Sequence, residues 1–314
     1  MKKAIYMVIP CYNEQEVLGE TAKLLNNKFR DLINKDKISE ESKIIFVDDG
    51  SRDETWQIIC ELHQVNKLFG GIKLSCNRGH QNALLAGLMT VKEYADAVIS
   101  MDADLQDDIH AIDEMIDKFY EGAEIVYGVR NKRETDTFFK RFTAETFYKL
   151  MNWLGAKTVF NHADFRLMSK CALDELEKFE EVNLFLRGLV PMIGYRTDVV
   201  YYERSERFAG ESKYPLKKMI AFAVEGITSL SIKPIKLVTS VGITIFIVSI
   251  MATLYCLYRH LTGNTVQGWT SMAISIWALG GIQLIAIGVV GEYIGKVYLE
   301  VKHRPRYIIE KFIK

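Results

Sequence analysis

The chain turns on the stretch Ala97-Val98-Ile99-Ser100-Met101-Asp102-Ala103-Asp104-Leu105-Gln106-Asp107-Asp108. Its first half is an uncharged apolar run that reads as a buried strand. Its second half delivers Asp102, Asp104 and Asp107 at the strand's exit. Carboxylates at i and i+2 on an extended chain point to the same side. Two hard oxygen ligands side by side suit Mg²⁺ or Mn²⁺, which bind through few carboxylates and the phosphates of a substrate. The stretch therefore predicts a strand–loop junction that holds a metal on the diphosphate of a nucleotide-activated donor. The plain alternative is an acidic turn in which Asp107 or Asp108 caps the next helix.

The segments on either side repeat the strand-then-polar-turn pattern. Ala4–Ile9 reads as a first buried strand, ended by Pro10 and followed by Cys11-Tyr12-Asn13-Glu14. Lys43–Val47 reads as a second, ended by Asp48-Asp49-Gly50-Ser51, where Ser51-x-x-Glu54 has the form of a capping box. Gly71–Leu74, Ala97–Met101 and Glu124–Tyr127 complete five strands. Helices are expected over about residues 15–30 (with Val17, Leu18, Leu24 and Leu25 inward), Ala83–Thr90, Ile109–Phe119 and Phe142–Leu154. Strands alternating with helices at this spacing predict an α/β layered domain with a mainly parallel sheet. In such sheets function sits outside the carboxyl ends of the strands, where the polar turns after strands one, two and four all fall. No G-x-G-x-x-G follows the first strand and no G-x-x-x-x-G-K-[ST] occurs, which argues against a dinucleotide oxidoreductase or a P-loop enzyme.

Further on, residues 131–141 are densely charged, and read either as an active-site loop or as a solvated linker. His162–Met168 reads as a polar turn running into an apolar piece. Leu184–Ile193 is apolar with Arg187 inside it, Asp198–Tyr202 is a strand, and Glu203–Lys213 is again dense in charge. Lys and Arg number 40 against 40 Asp and Glu. A net charge of zero predicts no nucleic-acid or other polyanionic partner. The five cysteines are scattered with no CxxC and are expected to be free thiols. The apolar run at the N-terminus is too short and too soon interrupted for a signal peptide.

The character changes near residue 237. Leu237–Tyr258 and Leu261–Gly291 contain no charged residue. Each is long enough to cross a hydrocarbon core of roughly 30 Å, and two spans are expected, at about 237–258 and 269–291. Gly242, Gly280, Gly281, Gly288 and Gly291 allow close helix approach and oligomers. Trp269, Tyr255 and Tyr258 sit at interface positions. Lys213, Lys217, Lys218, Lys233 and Lys236 precede the first span. Lys296, Lys302, Arg304, Arg306, Lys311 and Lys314 follow the second, against Arg259 alone between them. This asymmetry places both termini in the cytoplasm. Lys217–Leu230 mixes lysines with apolar residues, as in a helix lying in the headgroup plane. The expected organisation is a catalytic domain over 1–213, a juxtamembrane segment over 214–236, a hairpin over 237–295 and a cytoplasmic tail over 296–314.

Four motifs in order carry a resemblance: Val8-Ile9-Pro10-Cys11-Tyr12-Asn13-Glu14, Val47-Asp48-Asp49-Gly50-Ser51, Met101-Asp102-Ala103-Asp104-Leu105-Gln106, and Arg207-Phe208-Ala209-Gly210-Glu211-Ser212-Lys213-Tyr214. With the C-terminal pair of spans, the chain is similar to the family 2 glycosyltransferases of the GT-A fold. It most resembles the branch that loads a sugar onto polyprenyl phosphate, the bactoprenol glucosyltransferases and dolichol-phosphate mannose synthases. The processive relatives carry Q-x-x-R-W, and no Trp here follows an Arg, which implies one sugar per lipid.

The resemblance implies that Pro10, Tyr12, Glu14 and Asp48 line the nucleoside pocket. It implies that Asp102 contacts the nucleotide-sugar, and that Asp104 with Gln106 holds Mg²⁺ or Mn²⁺ on the diphosphate. Asp164 matches the position usually assigned as catalytic base, and Arg130, Arg204, Arg207, Ser212 and Lys213 match phosphate contacts. A phosphate monoester has its second pKa near 6, by analogy with phosphorylated side chains, and is largely a dianion at pH 7. Asp164 therefore also reads as an orienting group, or as a structural partner of Arg166. The three cations Arg204, Arg207 and Lys213 alternatively form a solvated loop balanced by Glu203, Glu206 and Glu211. His80 and His162 are expected to make structural hydrogen bonds, and Cys11 to be a bystander. The implied reaction moves one sugar, expected to be glucose from UDP-glucose, onto undecaprenyl phosphate with inversion, at the cytoplasmic membrane face. Other donors (GlcNAc, mannose, aminoarabinose) and a non-catalytic membrane scaffold remain as alternatives.

Overall fold

The computed structural model describes residues 2–130, 162–182, 184–203, 233–261 and 268–314. The charged segment 131–141, the helix expected over Phe142–Leu154, the interfacial helix expected over Lys217–Leu230, and Arg204, Arg207, Ser212 and Lys213 all lie outside the described residues.

The elements run in chain order as follows: β1 (Ile5–Cys11), α1 (Leu18–Asn34), β2 (Lys43–Asp48), α2 (Thr55–Val65), β3 (Phe69–Leu74), α3 (His80–Val91), β4 (Ala97–Ser100), α4 (Ala111–Tyr120), β5 (Ile125–Arg130), β6 (His162–Ser169), α5 (Lys170–Glu177), α6 (Leu186–Leu189), a 3₁₀ turn (Val190–Ile193), β7 (Thr197–Tyr202), α7 (Lys233–Leu261), α8 (Trp269–Val301) and β8 (Ile309–Ile313). The strands form one sheet in the order β7-β5-β6-β4-β1-β2-β3-β8. Strands β4, β1, β2 and β3 are mutually parallel, as is the pair β5 and β7. β6 runs antiparallel between β4 and β5, and β8 antiparallel along β3.

The central strands are apolar on both sides because helices cover both faces. Ile5, Met7, Ile9, Ile44 and Phe46 face one core with α1, α2 and α4. Tyr6, Val8, Ile45 and Val47 face the other with α3, α5 and α6. Each such fully buried large apolar side chain contributes about 1.5–3 kcal/mol of transfer free energy. Helix α3 rides close on β1 and β2: a Cβ on Gly87 would lie 2.3 Å from Val8 Cγ1 and 2.8 Å from Val47 Cγ2. Pro10 is tolerated in the central strand because the β4 ladder on β1 ends at Val8.

Several expectations change. The polar turn expected at His162 is the start of strand β6. Its polar residues Asp164 and Arg166 share one face, and Phe165 and Leu167 turn to the core of α1 and α4. The capping box at Ser51–Glu54 does not form. Ser51 Oγ instead accepts from Asn13 N at 3.0 Å, and Asp53 Oδ1 accepts from Thr55 N at 3.1 Å. The tail expected over 296–314 is not a separate piece. Phe312 packs on one face of the sheet and Ile313 on the other, so the alternation of a strand carries residues 309–313 onto β3. The Cys11, Cys60, Cys76 and Cys171 thiols are free, as expected. Helix α8 is continuous past Gly291 to Val301. Among the described residues Leu279–Val301 is long and apolar enough to cross a membrane by length and composition.

Candidate active site

The turns after β1, β2 and β3 interlock at the carboxyl edge of the sheet. Asn13 adopts φ +54°, a left-handed conformation that Asn tolerates. Its Oδ1 accepts from Arg52 N at 2.9 Å, and Glu14 N donates to Thr55 Oγ1 at 2.9 Å. Asp48 is fully buried; its Oδ1 accepts from Ser51 N at 3.1 Å, and its Oδ2 has no hydrogen-bond partner. Burial pushes the Asp48 carboxyl above the usual range, against the Ser51 hydrogen bonds. Asp49 accepts from Arg78 N at 2.7 Å and Gly79 N at 2.9 Å, which ties the second turn to the loop that opens α3. Tyr12 is exposed on this rim, and Pro10 is buried beside Val47.

The acidic loop leaves β4 under constraint. Thr21 Oγ1, on α1, donates to Ala103 O at 2.9 Å. Asp104 Oδ1 accepts from Gln106 N at 3.2 Å, and Leu105 between them sits at φ +55°. A branched side chain in that region costs of order 1–2 kcal/mol, so the surrounding contacts hold the loop in shape. The Asp102 side chain is 32% exposed as a whole, yet its Oδ1 is shut off from solvent without a hydrogen-bond partner. His80 Nε2 stands 3.4 Å from that oxygen. Burial raises the Asp102 carboxyl to about 6, the carboxylates of Asp164, Asp107 and Asp104 add to the rise, and His80 opposes it.

A shielded carboxylate oxygen beside other carboxylates is a place where a hard cation fits. The chemistry of Asp102, Asp104 and Gln106 matches Mg²⁺ or Mn²⁺. Among the described residues no three His, Cys, Asp or Glu side chains form a closed metal cage. A cation here would therefore take most of its ligands from substrate and water, the usual arrangement for Mg²⁺.

Asp107 has a different place from Asp102. It is buried, its Oδ1 accepts from Arg130 Nη2 at 3.1 Å, and it accepts a short hydrogen bond from the Tyr202 hydroxyl. Arg130 Nε also donates to Tyr202 Oη at 3.2 Å. The structure thus places Arg130 in an ion pair that joins the ends of β5 and β7 to the acidic loop. Asp108 Oδ1 accepts from His110 N at 2.8 Å in the turn ahead of α4, whose N-cap is His110 with no side-chain cap, so neither Asp107 nor Asp108 caps the helix as the alternative reading had it.

Register brings Asp164 to Asp102. Ser100 pairs with Arg166 across β4 and β6, and continuing that antiparallel register by two residues sets Asp102 opposite Asp164. Asp164 Oδ1 accepts from Arg166 Nη2 at 2.9 Å and Arg187 Nε at 3.2 Å, and Oδ2 from Arg187 Nη2 at 3.0 Å. His80 Nε2 lies 3.7 Å from Oδ2. Burial would raise this carboxyl, but the two guanidinium groups more than offset it and hold it well below the usual range. A carboxylate so strongly held ionised is a poor proton acceptor. The expected pairing of Asp164 with Arg166 is present.

Two residues at this site were not among the candidates. Arg187 is a lone cation inside the otherwise apolar stretch Leu184–Ile193, and a charge placed there signals a buried partner. His80 follows Asn77-Arg78-Gly79 at a strand exit, on the same edge as the other turns. The structure gathers Asp48, Asp102, Asp104, Gln106 and Asp164 on one edge with His80 and Arg187.

Comparison with known proteins covers both parts of the chain. Residues 6–177 match the model of glycosyl transferase family 2, and residues 233–297 match the GtrB C-terminal hairpin. An uncharacterized glycosyltransferase of Bacillus subtilis, YkoT, is 56% identical over 304 residues, which is 97% of this chain and 90% of that protein. The SfII prophage-derived bactoprenol glucosyl transferase of Shigella flexneri is 41% identical over 309 residues, with 98% and 97% of the two chains covered. Among solved structures, mannosyl-3-phosphoglycerate synthase from Rubrobacter xylanophilus aligns with 71% of each chain at 15% identity and a TM-score of 0.48. The doubly covered, mainly parallel sheet with its acidic edge, and the helical pair that follows it, therefore belong to a member of glycosyl transferase family 2 that carries the GtrB-type hairpin.

Proposed function

We propose that the protein moves one glucose from UDP-glucose onto undecaprenyl (polyprenyl) phosphate at the cytoplasmic face of a membrane, inverting the anomeric centre. The observation that carries this reading is the placement of Asp102, with its shielded oxygen, opposite an Asp164 that two arginines hold ionised. One carboxylate suits a donor diphosphate with its cation, and the other sits in a cluster that suits an anionic acceptor. Relatives named as bactoprenol glucosyl transferases, aligned across sheet and hairpin alike, favour polyprenyl phosphate and glucose.

In this reading Pro10, Tyr12, Glu14 and Asp48 line the nucleoside site, and Asp102 orients the sugar diphosphate. Asp104 and Gln106 would hold Mg²⁺ or Mn²⁺, which when bound offsets the charge building on the leaving diphosphate. Arg130, Arg204, Arg207, Ser212 and Lys213 are assigned to the phosphates. The acceptor oxygen forms its bond to the anomeric carbon as the bond to the UDP oxygen breaks. The acceptor dianion becomes a diester monoanion and UDP leaves with the extra charge, so no proton needs to be removed. Asp164 then orients rather than deprotonates.

Domain limits of 1–213, 214–236 and 237–295 fit the reading, with helix α8 running on to Val301 and residues 309–313 returning to the sheet. Because strands before α7 and after α8 lie in one sheet, the chain crosses any membrane an even number of times between them. That favours a two-span hairpin with both ends on the catalytic side. The glycines of α7 and α8 would allow a homo-oligomer. The test is incubation of the purified full chain with polyprenyl phosphate, Mg²⁺ and a panel of nucleotide-sugars, with glycolipid read by mass spectrometry. A single-sugar product from UDP-glucose, lost with EDTA and in Asp104→Ala, is the expected result. Product from GDP-mannose, UDP-GlcNAc or UDP-aminoarabinose instead would reassign the donor, and no product from any would remove the reading.

A further inference from the structure

Residues 178–182 leave α5 and lead toward α6, the short helix that carries Arg187 to Asp164. The end of α8 holds this loop in two places. Glu300 Oε2 accepts from Val182 N at 2.9 Å, and Arg306 Nη1 donates to Phe179 O at 2.8 Å. Between the two grips the chain turns through His303 at φ +46°, and His303 N donates to Glu300 O at 3.1 Å. Further on β8 pairs with β3, so the end of α8 is itself fixed to the sheet. Around the bonds, loop and helix end face each other across a cleft of about 460 Å³, lined in part by Phe179, Glu181, Glu300, Val301 and His303. Hydrogen bonds more than close packing therefore set the loop's place here.

The far end of the loop is caught at the site. Leu186 N, at the start of α6, donates to Gln81 Oε1 at 2.9 Å, one residue from His80 on α3. Arg187 then forks onto Asp164 at 3.2 and 3.0 Å. The segment is thus strung between the end of the hairpin and the carboxylates of the catalytic edge. Glu300 is also in a poor place for a helix. A carboxylate in the last turn meets the negative end of the helix dipole, and the last turn of α8 holds no basic residue. A helix built for its own stability would carry a cation there. A carboxylate that accepts from a backbone N–H makes a stronger bond than a neutral acceptor does.

We propose that Glu300 is a positioning residue: by holding Val182 it sets α6, and through α6 the aim of Arg187 on Asp164. The hairpin then shapes the catalytic edge through this loop. The inference rests on the proposed reaction only for what the shaped edge is used for.

The experiment compares wild type, Glu300→Ala, Glu300→Gln and Arg306→Ala as full chains in detergent. Glutamine keeps an oxygen that can accept from Val182 N and drops the charge; alanine drops both. Deuterium exchange at Val182 and α6 is read by mass spectrometry, beside glycolipid turnover. Losing a hydrogen bond to a charged group speeds local exchange by about 10–100-fold, and Glu300→Ala is expected to do so at Val182 and α6 while β1 and β2 stay as in wild type. A misplacement of the order of 1 Å costs about 10²-fold, so kcat is expected to fall by about 10–100-fold. KM for UDP-glucose, assigned to the turns after β1 and β2, is expected to hold. Glu300→Gln is expected to recover most of both losses.

Wild-type exchange at α6, or wild-type kcat, in Glu300→Ala would overturn the proposal. So would Glu300→Gln as impaired as Glu300→Ala, since the charge and not the bond to Val182 would then matter. Faster exchange across the whole sheet would mark a merely structural residue and overturn it too. Should Glu300→Ala fail to fold, Arg306→Ala, which releases the same loop at Phe179, decides by the same exchange and kcat criteria. If wild type makes no glycolipid while α6 still exchanges faster in Glu300→Ala, the proposed reaction falls and the brace stands.

Discussion

Replacing Gly50 by alanine puts a methyl group where the structure has none to spare. Gly50 lies in the turn after β2 at φ +66°, and a Cβ there would sit 2.7 Å from Asn77 N and Cys76 C and 2.9 Å from Cys76 Cα. All three are backbone atoms, so no side-chain rotation relieves the contact. The left-handed conformation costs alanine about 1–2 kcal/mol. The overlap adds about 1–3 kcal/mol. Together the loss is roughly 2–5 kcal/mol, or a melting point lower by about 5–15 °C for a domain of this size. The displaced backbone leads directly into Arg78, Gly79 and His80, whose position Asp49 fixes. A shift of the order of 1 Å at His80 would cost about 10²-fold in turnover. The control is Gly19→Ala in α1, which meets nothing within 4 Å and is expected to stabilise by about 0.5–1 kcal/mol. Thermal melting followed by near-ultraviolet circular dichroism, with glycolipid turnover on the same samples, reads both variants. A Gly50→Ala protein that melts and turns over like wild type would refute the account of this rim.

Three further outcomes follow from the same geometry. In EDTA, the Asp102 carboxyl, raised to about 6 in the folded state against about 3.9 unfolded, favours folding when protonated. Metal-free wild type should therefore lose stability relative to Asp102→Asn as pH rises from 4 to 6, with Mg²⁺ restoring part of it; parallel melting curves across that range would contradict the assignment. Tyr202→Phe removes the hydroxyl shared by Asp107 and Arg130, and is expected to cost about 1–3 kcal/mol in chemical denaturation with little change in the sheet's circular dichroism. Deleting residues 309–314 strips β8 from β3 and should lower the melting point and make the protein aggregate, as judged by size-exclusion chromatography.

The layered sheet was legible because β1, β2 and β4 are apolar runs ended by polar turns, and that grammar survives without tertiary information. That Asp102 and Asp104 leave a strand at the sheet's edge was legible for the same reason, since a strand exit aims its residues; Gln106 was singled out only by the family resemblance. β6 was hidden. Buried Asp164 and Arg166 at alternate positions look like a solvated turn until their partners are known. Arg187 comes from a short helix well after Asp164, and only the fold brings it to that carboxylate. His80 was set aside because a single histidine in a loop carries no direction; the Asp49 bonds to Arg78 and Gly79 supply it. β8 was read as a tail because its pairing partner, β3, lies more than two hundred residues earlier in the chain. The charged run after β5 and the Arg207–Tyr214 motif fall outside the described residues.

The place of β8 in the chain has a consequence for how the protein is made. β3 gains its outer neighbour only after both hairpin helices have left the ribosome. Until then β3 shows an open row of amides and carbonyls, and the backbone bond from Ser75 N to Ile308 O, at 3.0 Å, is missing just ahead of the loop that carries His80. A nascent chain that has placed its helices can close the sheet; one that has not keeps an adhesive edge that chaperones and proteases recognise. Synthesis order thus makes completion of the catalytic half a late event, conditional on the hairpin, and ties quality control of the enzyme to its last strand.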